Sequence, residues 1–367
     1  MSSRPTVYAW ITGERTNVGD SLLRRPYIAA LSLIGPLHLW INKSTPDFLT
    51  NLALPTETDL HRRFASWYVR LLASAVRRRT VLVLNAGEFR VRPSGAALLA
   101  LLLIAAQLVR LRGGATIWVG VSVPQSERKL LSIPYRWAGR NLDYVQWREP
   151  RSVQTSARRA VGPDWGFAEG SPTANWDDAL RPLCAFVLRG DRALPSDEWF
   201  RWARDLCADL GLRPVVVVQV RQDTDRAHEV AAVLEAQVIE WDPASDHVSQ
   251  ELRIREVYRE SLLVVGDRLH GLVIGATEGA VPLGWVESSR GKIDTHFTAV
   301  GLAYPGASEG RTAAELRRVT TSDITNWRDE LVSAIEEARR SIRHTQRALS
   351  SLATAQSPAE LAPLRRP

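Results

Sequence analysis

Short apolar strands alternate with helical segments along most of this chain, and that alternation constrains its fold more than any other feature. Branched and aromatic residues predict strands at 6–12 and 80–85 in the first half and at 213–221 and 261–267 in the second. A stretch with the apolar spacing of a helix follows each of them. Strands that alternate with helices pair in parallel, so the sequence predicts an α/β protein.

The alternation is interrupted between Gly162 and Asp178, where Gly, Pro, Asp and Asn accumulate. That composition is typical of a linker. We therefore predict one Rossmann-like domain over residues 1–170, a second over 180–310, and a C-terminal helix with a flexible tail over 311–367. The two domains are expected to face a cleft, because open parallel sheets bind ligands beyond the carboxyl ends of their strands.

Composition and charge narrow the class of protein. The chain is 45% hydrophobic and 24% charged, which is typical of soluble globular proteins. Its two cysteines, Cys184 and Cys207, lack metal-ligand spacing, so neither a zinc site nor a disulfide framework is predicted. Reduced cysteines and the absence of a secretory leader pattern after Met1 predict a cytoplasmic protein. The net charge of +7 favours anionic partners, namely phosphorylated metabolites, acidic lipids or nucleic acid.

The longest apolar run lies at residues 96–109, where Gln107 is the one polar residue. A membrane-spanning helix needs about 20 apolar residues. Because this run is shorter, it predicts a helix buried in a soluble domain.

Protonatable and cationic side chains follow the apolar strand that ends near Gly266. The turn between this strand and the next helix contains Asp267, Arg268 and His270. It lies at the edge of the sheet that faces the predicted cleft. A histidine can donate and accept protons near neutrality, and an arginine can clamp a carboxylate or phosphate. The alternative is structural: a histidine that holds the turn, and an arginine in a salt bridge with Asp267 or another carboxylate.

The first loop, from Gly13 to Asp20, also joins a strand to a helix. It has neither the Gly-Lys-Ser/Thr of a P-loop nor the GxGxxG of a dinucleotide fold, so pyridine-nucleotide binding is not expected. Asn17 and Gly19 allow tight backbone geometry. A purely structural role for Asp20 or Ser21, as the cap of the following helix, stays open.

Taken in order, several short blocks resemble the polysaccharide pyruvyl transferase family. The blocks are Asn17-Val18-Gly19-Asp20, Gly120-Val121-Ser122-Val123-Pro124, Arg148-Glu149-Pro150-Arg151-Ser152, Pro163-Asp164-Trp165, Arg268-Leu269-His270, and Lys292 with Phe297. The match extends over residues 17–302. One departure is Asn85-Ala86-Gly87, which stands where that family usually has three glycines.

The resemblance implies a GT-B-like architecture and a reaction with phosphoenolpyruvate as donor. The enolpyruvyl group becomes a ketal on two hydroxyls of a glycan in cell-envelope or exopolysaccharide biosynthesis, and phosphate leaves. On this basis His270 is the catalytic acid/base, and Arg268 holds the phosphate or carboxylate. Neither a metal nor a further cofactor is required.

Further substrate-binding residues are implied by the same resemblance. They are Arg148 and Lys292 for the donor, Asn17 and Gly19 in the first loop, and Asp20 or Glu88 for the acceptor. Two structural alternatives stay open: a salt bridge between Arg148 and Asp164, and a plain surface position for Lys292.

Two other functions remain possible on the sequence alone. A nucleotide-sugar glycosyltransferase would use the same architecture, since fold does not fix function. A non-catalytic binder of acidic glycans would also use a basic cleft, whereas nucleic acid is not expected, because no basic–aromatic interleaving or helix-turn-helix spacing is present. The acceptor is expected to be a glycan or a lipid-linked sugar, and the basic surface allows peripheral contact with the inner face of the membrane.

Overall fold

The structure is a computed structural model of the chain. It describes residues 4–89, 91–123, 128–150, 152, 160–176, 181–284, 291–302 and 319–354. The predicted tail after Ala353 lies almost entirely outside the described residues, as do Pro124 and Arg151 of the family-like blocks.

The chain divides into two compact units. Unit 1 comprises residues 1–14, 23–165 and 340–367, and unit 2 comprises 15–22 and 166–339. The first loop therefore belongs with the second unit, although it follows the first strand in sequence. The assignment of the first loop to unit 2 depends on contacts between distant segments, so the spacing of residues along the sequence does not reveal it.

Unit 1 is built on a seven-stranded parallel sheet with helices between the strands. The strands run in the order β3-β2-β1-β4-β6-β5, and β7 also pairs with β6. The elements are β1 (Thr6–Trp10), α1 (Val18–Ser32, which begins in unit 2), β2 (Leu37–Trp40), α2 (Pro46–Asn51), β3 (Asp59–His61), α3 (Phe64–Arg77), β4 (Thr80–Val83), β5 (Gly87–Glu88), α4 (Pro93–Leu111), β6 (Ala115–Ser122), α5 (Lys129–Asn141) and β7 (Tyr144–Trp147).

Two elements of unit 1 differ from the sequence prediction. The apolar spacing of residues 60–77 is that of a helix, but Asp59–His61 is an edge strand and the helix begins at Phe64. This strand is short and largely exposed, so no alternation of buried residues marks it. Helix α5 was not predicted, because its sequence is rich in basic residues and contains Pro134.

Helices α3, α4 and α5 pack side by side in unit 1, with α4 between the other two. Leu99, Leu102 and Ala105 of α4 are fully buried in the core beneath them. The prediction of a buried helix is correct for this face only, because Leu101 and Ile104 are 44% and 63% exposed. By length and composition alone α4 could cross a membrane, but its packing on β4 and β6 is that of a core helix.

Unit 2 is built on a five-stranded parallel sheet in the order β10-β9-β8-β11-β12. The strands are short runs of buried branched residues, as the sequence predicted. The elements are β8 (Leu183–Val187), α6 (Asp197–Asp209), β9 (Arg213–Val217), α7 (Thr224–Leu234), β10 (Gln237–Ile239), α8 (His247–Arg259), β11 (Ser261–Gly266), α9 (Leu269–Thr277), β12 (Val281–Gly284), α10 (Lys292–Thr298) and α11 (Thr321–Thr354, which ends in unit 1).

The predicted linker is a packed segment wherever the structure describes it. Phe167 meets Phe297 edge-on with ring centroids 5.7 Å apart. A side chain at Gly170 would collide with Thr277, so glycine here allows close approach of two backbones. The Thr173 hydroxyl donates to Glu336 at 2.8 Å. The boundary between the two units, at residues 165 and 166, falls inside the predicted linker, and the turns of this segment serve tight packing.

Candidate functional site

The carboxyl ends of β8, β9 and β11 lie at one edge of the second sheet, because the three strands are adjacent and parallel. The segments that leave this edge include the one that carries Arg268 and His270, the two predicted catalytic residues. These segments are residues 188–192 after β8, 218–223 after β9, and 267–270 after β11. We call this edge, together with residues 15–22, the donor edge.

The turn from β11 into α9 is fixed by backbone contacts with the end of β8. A side chain at Gly266 would overlap the carbonyl oxygen of Val187. The amide of Asp267 donates to that carbonyl at 3.2 Å, and the Asp267 carboxylate accepts from the amide of Arg189 at 2.7 Å. The first residues of α9 are therefore held rigidly at the end of the sheet.

Arg268 is paired with Asp223, which follows β9. Its Nε donates to one carboxylate oxygen at 2.6 Å, and its Nη2 donates to the other. Asp223 also accepts from the amide of Gly190 at 2.7 Å and is almost fully buried. The predicted salt bridge therefore exists, but its acid is Asp223 rather than Asp267. Asp223 engages the Nε–Nη2 side of the guanidinium, so the two N–H groups of Nη1 and the second N–H of Nη2 are left to meet a ligand.

The first loop is attached to the segment after β9. The side-chain oxygen of Asn17 accepts from the amide of Gly19 at 3.0 Å and from the amide group of Gln219 at 2.9 Å. The amide of Arg221 donates to the carbonyl of Thr16 at 3.0 Å. Asn17 thus caps α1, a role that the sequence had left to Asp20 or Ser21.

Gly19 lies directly against His270. A Cβ built on Gly19 would overlap the imidazole, with Nδ1, Cβ and Cγ of His270 as its nearest atoms. Gly19 is buried and His270 is half-buried. Two blocks from distant parts of the sequence therefore meet at the donor edge, and only glycine fits at that contact.

Helices α1 and α9 both begin at this contact, at Val18 and Leu269. The first turn of a helix presents amide groups without intrahelical partners and carries the positive end of the helix dipole. In α1 the amides of residues 18–20 already donate to Gln219 and Asn17. The amides of α9, together with the positive ends of both helix dipoles, are therefore what favours a bound anion at this contact.

A buried histidine that sequence reasoning missed anchors the first turn of α1. His247, the first residue of α8, is fully buried. Its Nε2 lies 2.8 Å from the Ser21 hydroxyl and its Nδ1 lies 3.1 Å from the carbonyl of Arg15. One partner lies in the first loop and the other in the first turn of α1, so His247 holds both against α8. Nothing in its local sequence marks it.

Burial sets the electrostatics of Asp267. Desolvation raises the pKa of this carboxyl to about 6, and the guanidinium of Arg192, at 3.4 Å, opposes that shift. By contrast, the hydrogen bond from Arg189 lowers the pKa of exposed Asp191. The donor edge thus holds a carboxyl that titrates close to neutrality beside Arg268.

The remaining predicted residues are distributed differently. Arg148 lies in unit 1, where it is buried and donates to Asp164 at 2.7 Å and to Ser122 at 3.1 and 3.2 Å. The predicted salt bridge with Asp164 is therefore present, and it leaves Arg148 without access to a ligand. Glu88 is exposed on β5 of unit 1, and Asp20 is half-buried in the first turn of α1. The side chain of Lys292, at the start of α10, lies outside the described part of the chain.

A pocket of about 640 Å³ opens at the opposite, amino edge of the second sheet. Its lining includes Arg181, Arg255 and Glu278. Arg255 is paired with Glu278 at 2.6 Å, and Arg181 donates to the carbonyls of Ser261 and Glu278 at 2.9 Å. These charges hold strand and helix ends together, so we place the candidate site at the donor edge instead.

Comparison with known proteins gives the fold. No family model and no curated protein matches the sequence. Among solved structures, UGT89C1 of Arabidopsis thaliana complexed with UDP-L-rhamnose is similar, with 12% identity, a TM-score of 0.55, and coverage of 96% of this chain and 100% of that one. The UDP co-structure of S. aureus MnaA matches with 9% identity, a TM-score of 0.51, and coverage of 96% of this chain and 98% of that one. The predicted fold class is confirmed: the chain is an α/β protein of the GT-B kind, with two parallel Rossmann-like sheets and a C-terminal helix.

Proposed function

We propose that the chain is a transferase of glycan biosynthesis, that its donor is phosphoenolpyruvate, and that the donor binds at the donor edge of unit 2. The contact between Gly19 and His270 is the observation that carries this proposal. Residues 17–20 and 268–270 resemble two separate blocks of the polysaccharide pyruvyl transferase family. Their meeting in three dimensions is what a shared functional role requires, and it does not follow from either block alone.

The chemistry of the donor edge supports a small, doubly anionic donor. The first turn of α9 offers backbone amides to a phosphate or carboxylate, and the dipole of α1 adds positive potential at the same place. Arg268 adds a fixed positive charge, because Asp223 holds its guanidinium in one orientation. Asp223 takes up part of that charge and occupies the Nε–Nη2 side of the guanidinium. We therefore assign Arg268 one contact to the donor, through Nη1, instead of a two-pronged clamp from the Nε–Nη2 side.

The proposed reaction begins with transfer of a proton from the imidazolium of His270 to the methylene carbon of phosphoenolpyruvate. The neighbouring carbon becomes cationic and is attacked by a sugar hydroxyl, whose proton passes to the imidazole of His270 and restores the imidazolium. The bond from this carbon to the phosphate oxygen breaks, and phosphate leaves with both bonding electrons. A second hydroxyl attacks the same carbon and gives its proton to the departing phosphate, and the pyruvate ketal is complete.

On the acceptor side, the proposal retains Asp20 and Glu88 as residues that position a glycan or a lipid-linked sugar. Lys292 remains a proposed donor ligand. Arg148 is withdrawn from this role, because its three guanidinium nitrogens are directed at Asp164 and Ser122 in a buried pair.

A second candidate is glycosyl transfer from a nucleotide sugar. The comparisons favour this donor over phosphoenolpyruvate, since UGT89C1 and MnaA were both solved with UDP or a UDP-sugar. A diphosphate also suits two helix N-termini. The identity of 9–12% shows a common fold rather than a common substrate.

The test is a phosphate-release assay with phosphoenolpyruvate and a panel of cell-envelope glycans, run beside thermal-shift measurements with UDP-sugars. We expect phosphate release that depends on the glycan, and a fall of about 10²–10⁴-fold in turnover for His270→Gln. The matched control is His228→Gln, because His228 is an exposed histidine of the same unit. Stabilisation by UDP-sugars, with no phosphate release from phosphoenolpyruvate, would establish the second candidate instead.

A further inference from the structure

The outer surface of helices α3, α4 and α5 in unit 1 combines exposed apolar side chains with positive charge. Its apolar part consists of Val69, Val76, Leu101, Ile104, Leu130 and Ile133, which are between 44% and 81% exposed. We call this surface the α3–α5 face. Single exposed apolar residues are normal on any protein, but several on adjacent helices mark an interaction surface.

Helix α4 forms the centre of the α3–α5 face. Its outward positions follow helical spacing at Ala97, Ala100, Leu101 and Ile104, and all of them are apolar. The hydroxyl of Tyr68 on α3 donates to the carbonyl of Leu101 at 2.8 Å, so the two helices are fixed side by side. A soluble helix that faced only water would place polar residues at these positions.

The charge of the α3–α5 face has a single sign. Helices α3, α4 and α5 contain no Asp or Glu in their 14, 19 and 13 residues. Exposed basic side chains border the apolar patch on α3 and α5. They are Arg70, Arg77, Lys129, Arg136 and Arg140. Helix α6 of unit 2, by contrast, carries both signs, with four acids and two arginines in 13 residues.

We infer that the α3–α5 face is a docking surface for a membrane that contains anionic lipids. Apolar side chains enter the boundary between headgroups and acyl chains, while flanking Lys and Arg bind the negative headgroups. A polynucleotide would bind the basic side chains through its phosphates, but it would leave the exposed apolar side chains without a partner. The absence of carboxylates removes the repulsion that an anionic surface would otherwise meet. The inference goes beyond the proposed function and holds for either donor.

Flotation with lipid vesicles tests this inference on the full chain. We expect the protein to float with vesicles of phosphatidylglycerol and phosphatidylcholine, and much less with phosphatidylcholine alone. Leu101→Asp with Ile104→Asp should lower the partition coefficient by about tenfold or more. Arg70→Gln with Arg136→Gln should lower the partition coefficient by about fivefold for each arginine. In 0.5 M salt the difference between this double variant and the unchanged chain should be smaller.

The matched control is Leu252→Asp, because Leu252 is 54% exposed on α8 of unit 2. It should float like the unchanged chain, and all variants should keep the same circular dichroism and melting temperature. No flotation of the unchanged chain, or equal flotation of the apolar double variant, would overturn the inference. If sedimentation velocity instead found a dimer that the apolar double variant dissociates, the α3–α5 face would bind a second copy of the chain.

Discussion

The two units share one architecture, yet the carboxyl edges of their sheets differ. In unit 1, polar groups at this edge contact one another: Asn85 donates to the carbonyl of Thr12 at 2.8 Å, and Arg148 is buried against Asp164. In unit 2, the corresponding edge keeps His270 half-buried and Arg268 partly accessible. A parallel sheet therefore offers the place for a site, and the exposure of the charged side chains at its edge decides whether a ligand can reach them.

The glycines at the two edges show the same contrast. A side chain at Gly120 of unit 1 would collide with the ring of Trp165, so glycine there serves packing. A side chain at Gly19 would collide with His270, so glycine there sets the position of a protonatable group. Both residues belong to blocks that resemble one family, but only the second bears on chemistry.

The largest expected effect concerns the two ion pairs. Asp164→Ala should lower the free energy of unfolding by about 4 kcal/mol, because it leaves the guanidinium of Arg148 buried without its acid. Asp223→Ala should cost about half as much, since the side chain of Arg268 is 16% exposed and can turn toward water. Urea unfolding of both variants measures the difference. Equal costs would remove the contrast between the two edges.

A smaller but more specific effect is expected at Gly19. Gly19→Ala should lower turnover by about 10²-fold, because displacement of His270 by even about 1 Å misaligns proton transfer. Gly87→Ala is the control, since its side chain would meet only Arg24, at 3.7 Å. The control should lose stability, because Gly87 has a φ of 107°, and should keep its turnover. Steady-state kinetics measure the turnover of both variants with the donor found in the release assay. Similar losses of turnover in the two variants would count against a special role for Gly19.

The third effect depends on pH. Burial raises the pKa of Asp267 from its ordinary value of 3.8 to about 6, so the folded state holds this proton more tightly than the unfolded state. The contribution of Asp267 to stability should therefore fall as pH rises from about 4 to 6 and stay low above that range. The free energy of unfolding of Asp267→Asn, measured relative to that of the unchanged chain, should increase by about 2 kcal/mol from pH 4 to pH 7.5. Parallel unfolding curves at both pH values measure this, and a constant difference would contradict the assignment.

The smallest effect is expected for Arg268→Lys. Asp223 already engages two nitrogens of the guanidinium, so the loss of the fork removes one donor contact and should raise the Michaelis constant about fivefold. Turnover at saturation should change little. A loss of 100-fold or more in binding would show that Arg268 leaves Asp223 to clamp the donor with two bonds.

Much of the fold was accessible from the sequence, because buried parallel strands appear as runs such as 215–218 and 263–265. The exposed edge strand Asp59–His61 was not, since it has no apolar pattern. The outward face of α4 was also missed. A helix that is apolar on every side does not reveal from its sequence which side a neighbour covers.

The candidate site was predictable only in part. His270 and Arg268 stood out because they follow a buried strand. The ion pair between Arg268 and Asp223 joins residues that are 45 positions apart, so local spacing could not reveal it. The assignment of residues 15–22 to unit 2 rests on hydrogen bonds with Gln219 and Arg221, and it too lay beyond sequence patterns.

A crystal structure of the chain with bound phosphoenolpyruvate would test the central claim most directly. The account predicts density for the donor at the first turn of α9, with its phosphate or carboxylate at the backbone amides and its methylene carbon facing the imidazole of His270. Density at the carboxyl edge of the first sheet instead, or a fully occupied donor that leaves His270 untouched, would contradict it.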